Sequence, residues 1–185
     1  MQIDPNSNPN YKSTEYADWW CWKSVMAPYI EQGWETTPTG NFSTPMMDFV
    51  DWDATISKDG TLRYIVEIKS RGENIRPTTY NEFLIDAAKI DKLLKGMEDN
   101  GVEAYIFELF PKHGVGYIWH ITPLTNKFRT CWKVANQNTI AGDNKVKKLC
   151  CMLPHSSATF VSFSTDTWDT MKQKADEYYS KKNNK

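Results

Sequence analysis

WDATISKDGTLRYIVEIKS, residues 52–70, decides the reading of this chain. Even positions Val50, Trp52, Ala54 and Ile56, then Leu62, Tyr64, Val66 and Ile68, are all apolar. Odd positions Asp51, Asp53, Thr55, Ser57, Thr61, Arg63, Glu67 and Lys69 are polar, with Ile65 the exception. A period of two with one apolar face predicts two half-buried strands. Both apolar faces must meet one core, so even pairs with even; a one-residue slip would turn a strand inside out. A two-residue Asp59-Gly60 turn pairs odd with even. The pattern therefore predicts a three-residue loop, Lys58-Asp59-Gly60, with Gly60 left-handed in a bulge. That register sets Ser57 opposite Thr61, Asp53 opposite Ile65 and Asp51 opposite Glu67. It gathers Asp51, Asp53, Glu67 and Lys69 on one face.

Carboxylates on adjacent strands suit a hard divalent cation such as magnesium, which takes oxygen ligands and keeps several waters. Such an ion polarises a phosphoryl oxygen and acidifies water. A lysine two residues past the second acid can orient that water or stabilise developing charge. An acid on one strand and acid-x-lysine on the next resembles the PD-(D/E)xK nuclease superfamily. The motif is confined to residues 53–69, and the likeness in organisation runs over roughly 13–122. The resemblance implies an α/β domain with a mixed central sheet flanked by helices, a restriction-endonuclease-like fold with an αβββαβ core. It implies Asp53 and Glu67 as metal ligands, the Ile68 carbonyl as a third, and Lys69 as the catalytic lysine. Trp52 stands where the family usually writes proline. An acid on the first helix often faces the metal in the family, which points to Glu15, with Asp18 in reserve; either acid alone also suits a first helical turn. The helix after the motif often adds a polar residue, for which Lys89 is the candidate, with Tyr80 behind it. Lys92 faces nucleic acid or simply solvent, as Lys95 does. Arg71 and Arg76, just past Lys69, are placed to touch phosphate.

Outward from the hairpin, Ser13 to Ile30 reads as a helix that Pro28 kinks or ends. Gly33 to Thr37 reads as a first strand and residues 36–47 as a loop. Asp51 shares the polar face as an auxiliary ligand, and Asp48 has the wrong parity. Thr79-x-x-Glu82 reads as a capping box opening a helix, with Phe83, Ala87, Ile90, Leu94 and Met97 as its core stripe and Gly101 as its stop. Strands follow at Ala104–Leu109 and Val115–Ile121. Asn126 to Ala141 has no clean period. Lys148–Leu153 and Thr159–Phe163 read as short strands, and Ser164-Thr165-Asp166 caps a last helix over residues 167–180.

The 185 residues, 40% hydrophobic and 14% aromatic, suit one domain over residues 13–180. A loose arm over 1–12 and a basic tail over 181–185 flank it. No apolar run reaches membrane-spanning length and the N-terminus is no signal peptide, so the expected location is cytoplasmic. Cys21, Cys131, Cys150 and Cys151 form no C-x-x-C pair and are expected as reduced thiols. His113, His120 and His155 carry no zinc pattern, and His120 reads as structural. The net charge of −1 is low for a duplex binder, although lysines cluster at Lys145, Lys147 and Lys148. The expected function is magnesium-dependent hydrolysis of DNA phosphodiester bonds, with manganese substituting, endonucleolytic, and with self-association into a homodimer. The alternative is a catalytically silent module of the same fold that binds nucleic acid or a protein; an RNA-directed nuclease differs only in substrate.

Overall fold

The computed structural model describes residues 22–39, 51–71, 75–122, 128–136, 145–165 and 173. Glu15, Asp18, Asp48, the N-terminal arm, the last helix and the basic tail lie outside these residues. The described chain is α/β, with a mixed central sheet between helices. Helix α1 covers residues 22–30. Strands β1 (Trp34–Pro38), β2 (Ala54–Lys58), β3 (Thr61–Ser70), β5 (Glu103–Phe110), β6 (Val115–Ile121) and β9 (Thr159–Ser162) form a six-stranded sheet in that order. Strands β4 (Glu82–Asp86), β8 (Lys145–Pro154) and β7 (Thr130–Asn136) form a second, three-stranded sheet in the order β4-β8-β7. Helix α2 spans Ala87–Asn100. Strand β3 pairs β5 in parallel, and every other pair is antiparallel. A parallel pair needs a crossover, which β4 and α2 supply.

The hairpin keeps the expected parity by another route. Lys58 pairs with Thr61 and Ser57 with Leu62, odd against even, across a two-residue turn. Asp59 at φ 53° and Gly60 at φ 70° are both left-handed, as a type I′ turn requires. The register then shifts between Ile56 and Ser57, with Arg63 as the extra residue, and Ile56 pairs with Tyr64 and Ala54 with Val66. The bulge restores even against even. Beyond the bulge every partner is moved by two from the expected register, so Asp53 continues the ladder beside Glu67 rather than Ile65.

The hairpin is covered on both faces, which corrects the expectation of one solvent-facing side. Ala54, Ile56, Val66 and Ile68 pack with Phe107 and Leu109 against Trp22, Val25 and Met26 of α1. Trp22 meets Phe107 edge-on at 4.8 Å and donates its indole N–H to Thr36 Oγ1 at 2.7 Å. The opposite face packs Ile65, Ile106, Trp119 and Ile121 against Ile90 and Leu93 of α2 and against Phe83, Ile85, Cys151 and Leu153 of the second sheet. Ile65, the apolar exception among the odd positions, marks this second core. Trp52, although even, also packs here, because the strand begins only at Ala54 and alternation does not extend through the bend before it.

Three other expectations change. Residues 82–86 form β4, not the first turn of a helix, because Phe83 and Ile85 alternate into the core opposite Leu153 and Cys151. Thr79 closes a local turn on Arg76 instead of capping a helix. The cap of α2 is Asp86, whose Oδ1 accepts from Ala88 N–H at 3.1 Å; Gly101 ends the helix as expected, left-handed with its N–H on Met97 O. Helix α1 ends at residue 30, as read, and Pro28 lies within it. Strand β7 occupies part of the stretch without a clean period, and there Cys131 faces Cys150 with both thiols free.

Gly96 is where α2 touches the hairpin. A Cβ there would lie 2.6 Å from the Trp52 ring and 2.7 Å from Ile65 Cδ1. Helix propensity alone would make Gly96→Ala stabilising by about 1 kcal/mol, but overpacking costs about 1–3 kcal/mol. We predict that Gly96→Ala lowers stability in urea unfolding; a raised midpoint would show that α2 is not seated on β3 as described.

Candidate functional site

Two acids of the hairpin converge with the motif lysine and one lysine of α2. Glu67 is 0% exposed, a carboxylate placed between the two cores. Burying an unpaired anion is costly, and two ammonium groups offset that cost. Lys69 Nζ lies 3.0 Å from Glu67 Oε1, and Lys89 Nζ lies 3.0 Å from Oε2. Lys89 donates a hydrogen bond to Oε2, and Lys69 forms an ion pair with Oε1. Lys69 is also 3.8 Å from Asp53 Oδ2, so its ammonium stands between the two carboxylates. Asp53 Oδ2 accepts the Ile68 N–H at 2.7 Å, which ties the end of β2 to the acid-x-lysine stretch. In an extended strand the N–H and C=O of one residue point to the same side, so the Ile68 carbonyl faces the side on which Asp53 lies. Farther out, Lys92 pairs with Asp51 at 2.8 Å and Lys95 with Asp99.

The two acids titrate in opposite directions. Burial pushes the Asp53 carboxyl up and Glu67 adds to this, so its value is raised although Lys69 opposes. Burial pushes Glu67 up as well, but Lys69 and Lys89 together outweigh it and hold Glu67 below its ordinary value. The pair thus favours one firmly ionised carboxylate and one whose charge the folded chain resists until more positive charge arrives. Among the described residues no three His, Cys, Asp or Glu side chains come together as a metal cage. Two carboxylates with a carbonyl on the same side match the modest protein donor set that magnesium takes, and the resisted charge on Asp53 is what a divalent cation would relieve.

The structure thus brings together Asp53, Glu67, Lys69 and Lys89, with Ile68 between them. It commits Lys92 to Asp51. Arg71 turns inward, with Nε 2.5 Å from Glu108 Oε1 and its guanidinium over the Phe83 ring at 4.9 Å. Arg76 and Tyr80 are exposed. The sequence reading missed Glu108 and His155. Glu108 is buried beside Lys69 in the β3–β5 register. It meets His155 Nε2 at 2.7 Å through Oε2, while the His155 ring stacks on Tyr117 at 3.9 Å. The signal was available in Phe107-Glu108-Leu109, a lone acid inside an apolar strand. His155, 47 residues away, gave none.

No known protein family matches the sequence, and no curated protein matches it. Among solved structures, the chain is similar to Hjc, a Holliday junction resolvase of Archaeoglobus fulgidus, at 13% identity and a TM-score of 0.40. The likeness covers 56% of this chain and 72% of that one. At that score it carries no argument, and the functional reading rests on the site. No described helix is long and apolar enough to cross a membrane.

Linkage gives the site a signature in stability. A carboxyl raised in the fold penalises the folded state once ionised, so the Asp53 penalty is absent below its unfolded value near 3.8 and sets in as the pH rises through the folded value. A lowered carboxyl such as Glu67 stabilises above its unfolded value near 4.5, and this is lost as the pH falls through the folded value. We predict that Asp53→Asn raises Tm at pH 7 by a few degrees, about 2–4 °C per kcal/mol, and that the gain vanishes toward pH 3. Glu67→Gln should lower Tm at pH 7. Thermal melts across pH check both, and equal shifts for the two variants would contradict the opposed titration.

Proposed function

We propose that the chain is a metal-dependent endonuclease that hydrolyses DNA phosphodiester bonds, with magnesium as the cation and manganese able to replace it. The observation that carries this reading is the Lys69 ammonium set between two carboxylates, 3.0 Å from Glu67 and 3.8 Å from Asp53. Asp53, Glu67 and the Ile68 carbonyl would hold the cation, which when bound supplies positive charge to the phosphoryl group and acidity to water. Lys69, partly exposed where Glu67 is closed off, is the group of this cluster able to reach substrate. It orients the attacking water and stabilises charge on the phosphoryl oxygens. Lys89 is a positioning residue: it occupies the second oxygen of Glu67 and keeps that carboxylate ionised and fixed.

The second reading is a silent module of the same architecture that binds nucleic acid. It is favoured by one observation, that both oxygens of Glu67 already face ammonium groups. Cleavage assays separate the two. Wild type is incubated with plasmid, linear, single-stranded and four-way-junction DNA, and with RNA, in magnesium, manganese or EDTA. Metal-dependent cleavage that Lys69→Ala reduces by about 10²–10³-fold supports the enzyme. Folded protein that cleaves none of these substrates supports the silent module.

Lys89 gives a finer prediction. Removing it withdraws a charge that lowers Glu67, so Lys89→Met should lower Tm and, assayed well below that Tm, move the acidic limb of the pH–rate profile to higher pH. A profile that only scales down, with no displacement, would deny Lys89 its role on Glu67.

A further inference from the structure

The β7–β8 ribbon carries an exposed face that the nuclease site leaves unused. The register places Trp132 opposite Leu149, Val134 opposite Lys147 and Asn136 opposite Lys145. Trp132 is 60% exposed, Val134 71% and Leu149 37%. Farther down β8 the same face carries Cys151 and Leu153 into the core. The ribbon is therefore the second sheet continued past its core, with the core-facing side laid open. Contiguous apolar exposure of this kind marks a binding surface.

Charge identifies the partner. Strands β7 and β8 hold Lys133, Lys145, Lys147 and Lys148 and no Asp or Glu, on a chain whose net charge is −1. Lys133 and Lys148 sit directly opposite, an unfavourable like-charge pair. Of the two, Lys148 is paired with Asp86 at 3.3 Å. Lys147 Nζ lies 5.3 Å from the centre of the Trp132 ring, which puts positive charge beside an exposed aromatic plane. Aromatic planes for bases and lysines for phosphates are the two parts of a single-strand binding surface.

The place fits as well. Cys150 pairs with Asp86, the cap of α2, and Lys89 on the first turn of that helix holds Glu67. From Cys150 to Lys145 the ribbon reaches about 17 Å at ~3.4 Å per residue. The ribbon thus starts beside the N-terminus of the helix that carries Lys89.

We propose that this face of the ribbon grips unpaired nucleic acid, with Trp132 stacking on a base and Lys145 and Lys147, on the same face, neutralising backbone phosphates. As the substrate arm of an enzyme it rests on the nuclease reading; as a binding surface it does not.

The test is fluorescence anisotropy of a labelled single-stranded oligonucleotide and the matching duplex, titrated in EDTA with the full chain. Wild type is compared with Trp132→Ala, Trp132→Phe and the double variant Lys145→Gln and Lys147→Gln. These side chains are exposed, and circular dichroism confirms folding. Trp132→Ala should weaken single-strand binding by about 5- to 100-fold, and Trp132→Phe should restore most of it. The double variant should flatten the dependence of log K on log salt by about 1.4, at ~0.7 per phosphate contact. Unchanged affinity and salt slope in these variants would overturn the proposal. So would a wild type that binds no nucleic acid and forms a dimer that Trp132→Ala dissociates, which assigns the face to a second copy. Binding by the ribbon without any cleavage overturns the nuclease reading and leaves the ribbon standing; cleavage with Trp132→Ala binding as wild type does the reverse.

Discussion

A fully buried carboxylate is the constraint around which this fold is arranged. Glu67 lies mid-strand, between one core built on α1 and another built on α2 and the second sheet. An anion there is tolerated only because Lys69 from its own strand and Lys89 from α2 reach it. Breaking such a pair from one side is strongly destabilising, yet an apolar replacement of the whole set is often neutral. Stability therefore does not explain why the charges are present. The metal-dependent chemistry proposed above would account for them, because it needs the elements that meet at Glu67.

Two further devices hold Asp53 against that carboxylate. The bulge at Arg63 reconciles a two-residue turn with the parity of the strands. The Ile68 N–H fixes Asp53 Oδ2 where the ladder ends. Beside them Glu108 ties Arg71 and His155 into a second polar cluster on the same sheet face. The polar groups of this face thus form one band from Asp53, just before β2, across β3 and β5.

Much of this was legible in the sequence. Alternation gave the two strands and their parity, the acid-x-lysine spacing singled out Asp53, Glu67 and Lys69, and the family resemblance added Lys89. The turn was misread because parity counted along strands cannot see a bulge, which changes the count without leaving a composition signal. Residues 82–86 were misread because Phe83, Ala87, Ile90, Leu94 and Met97 fit a helical stripe, while only pairing with β8 shows that the first of them belongs to a strand. Tertiary partners also decided Arg71 and Lys92, which local reading placed against phosphate or solvent: Glu108 draws Arg71 inward, and Asp51 pairs with Lys92 at the surface. Ile65 was the one residue whose mismatch with its neighbours foretold the second core.

Strand β4 ends at Asp86 and α2 begins at Ala87, with no connecting residue. Most strand-to-helix junctions have a few loop residues in which a displacement can dissipate. Here there are none, and Asp86 is at once the last rung of the ladder to Cys150 and the cap of the helix. A pull on the second sheet is therefore transmitted as by a rigid crank to Lys89 and through it to the buried anion. The mechanical state of one sheet and the electrostatic state of the other are coupled through a single peptide bond.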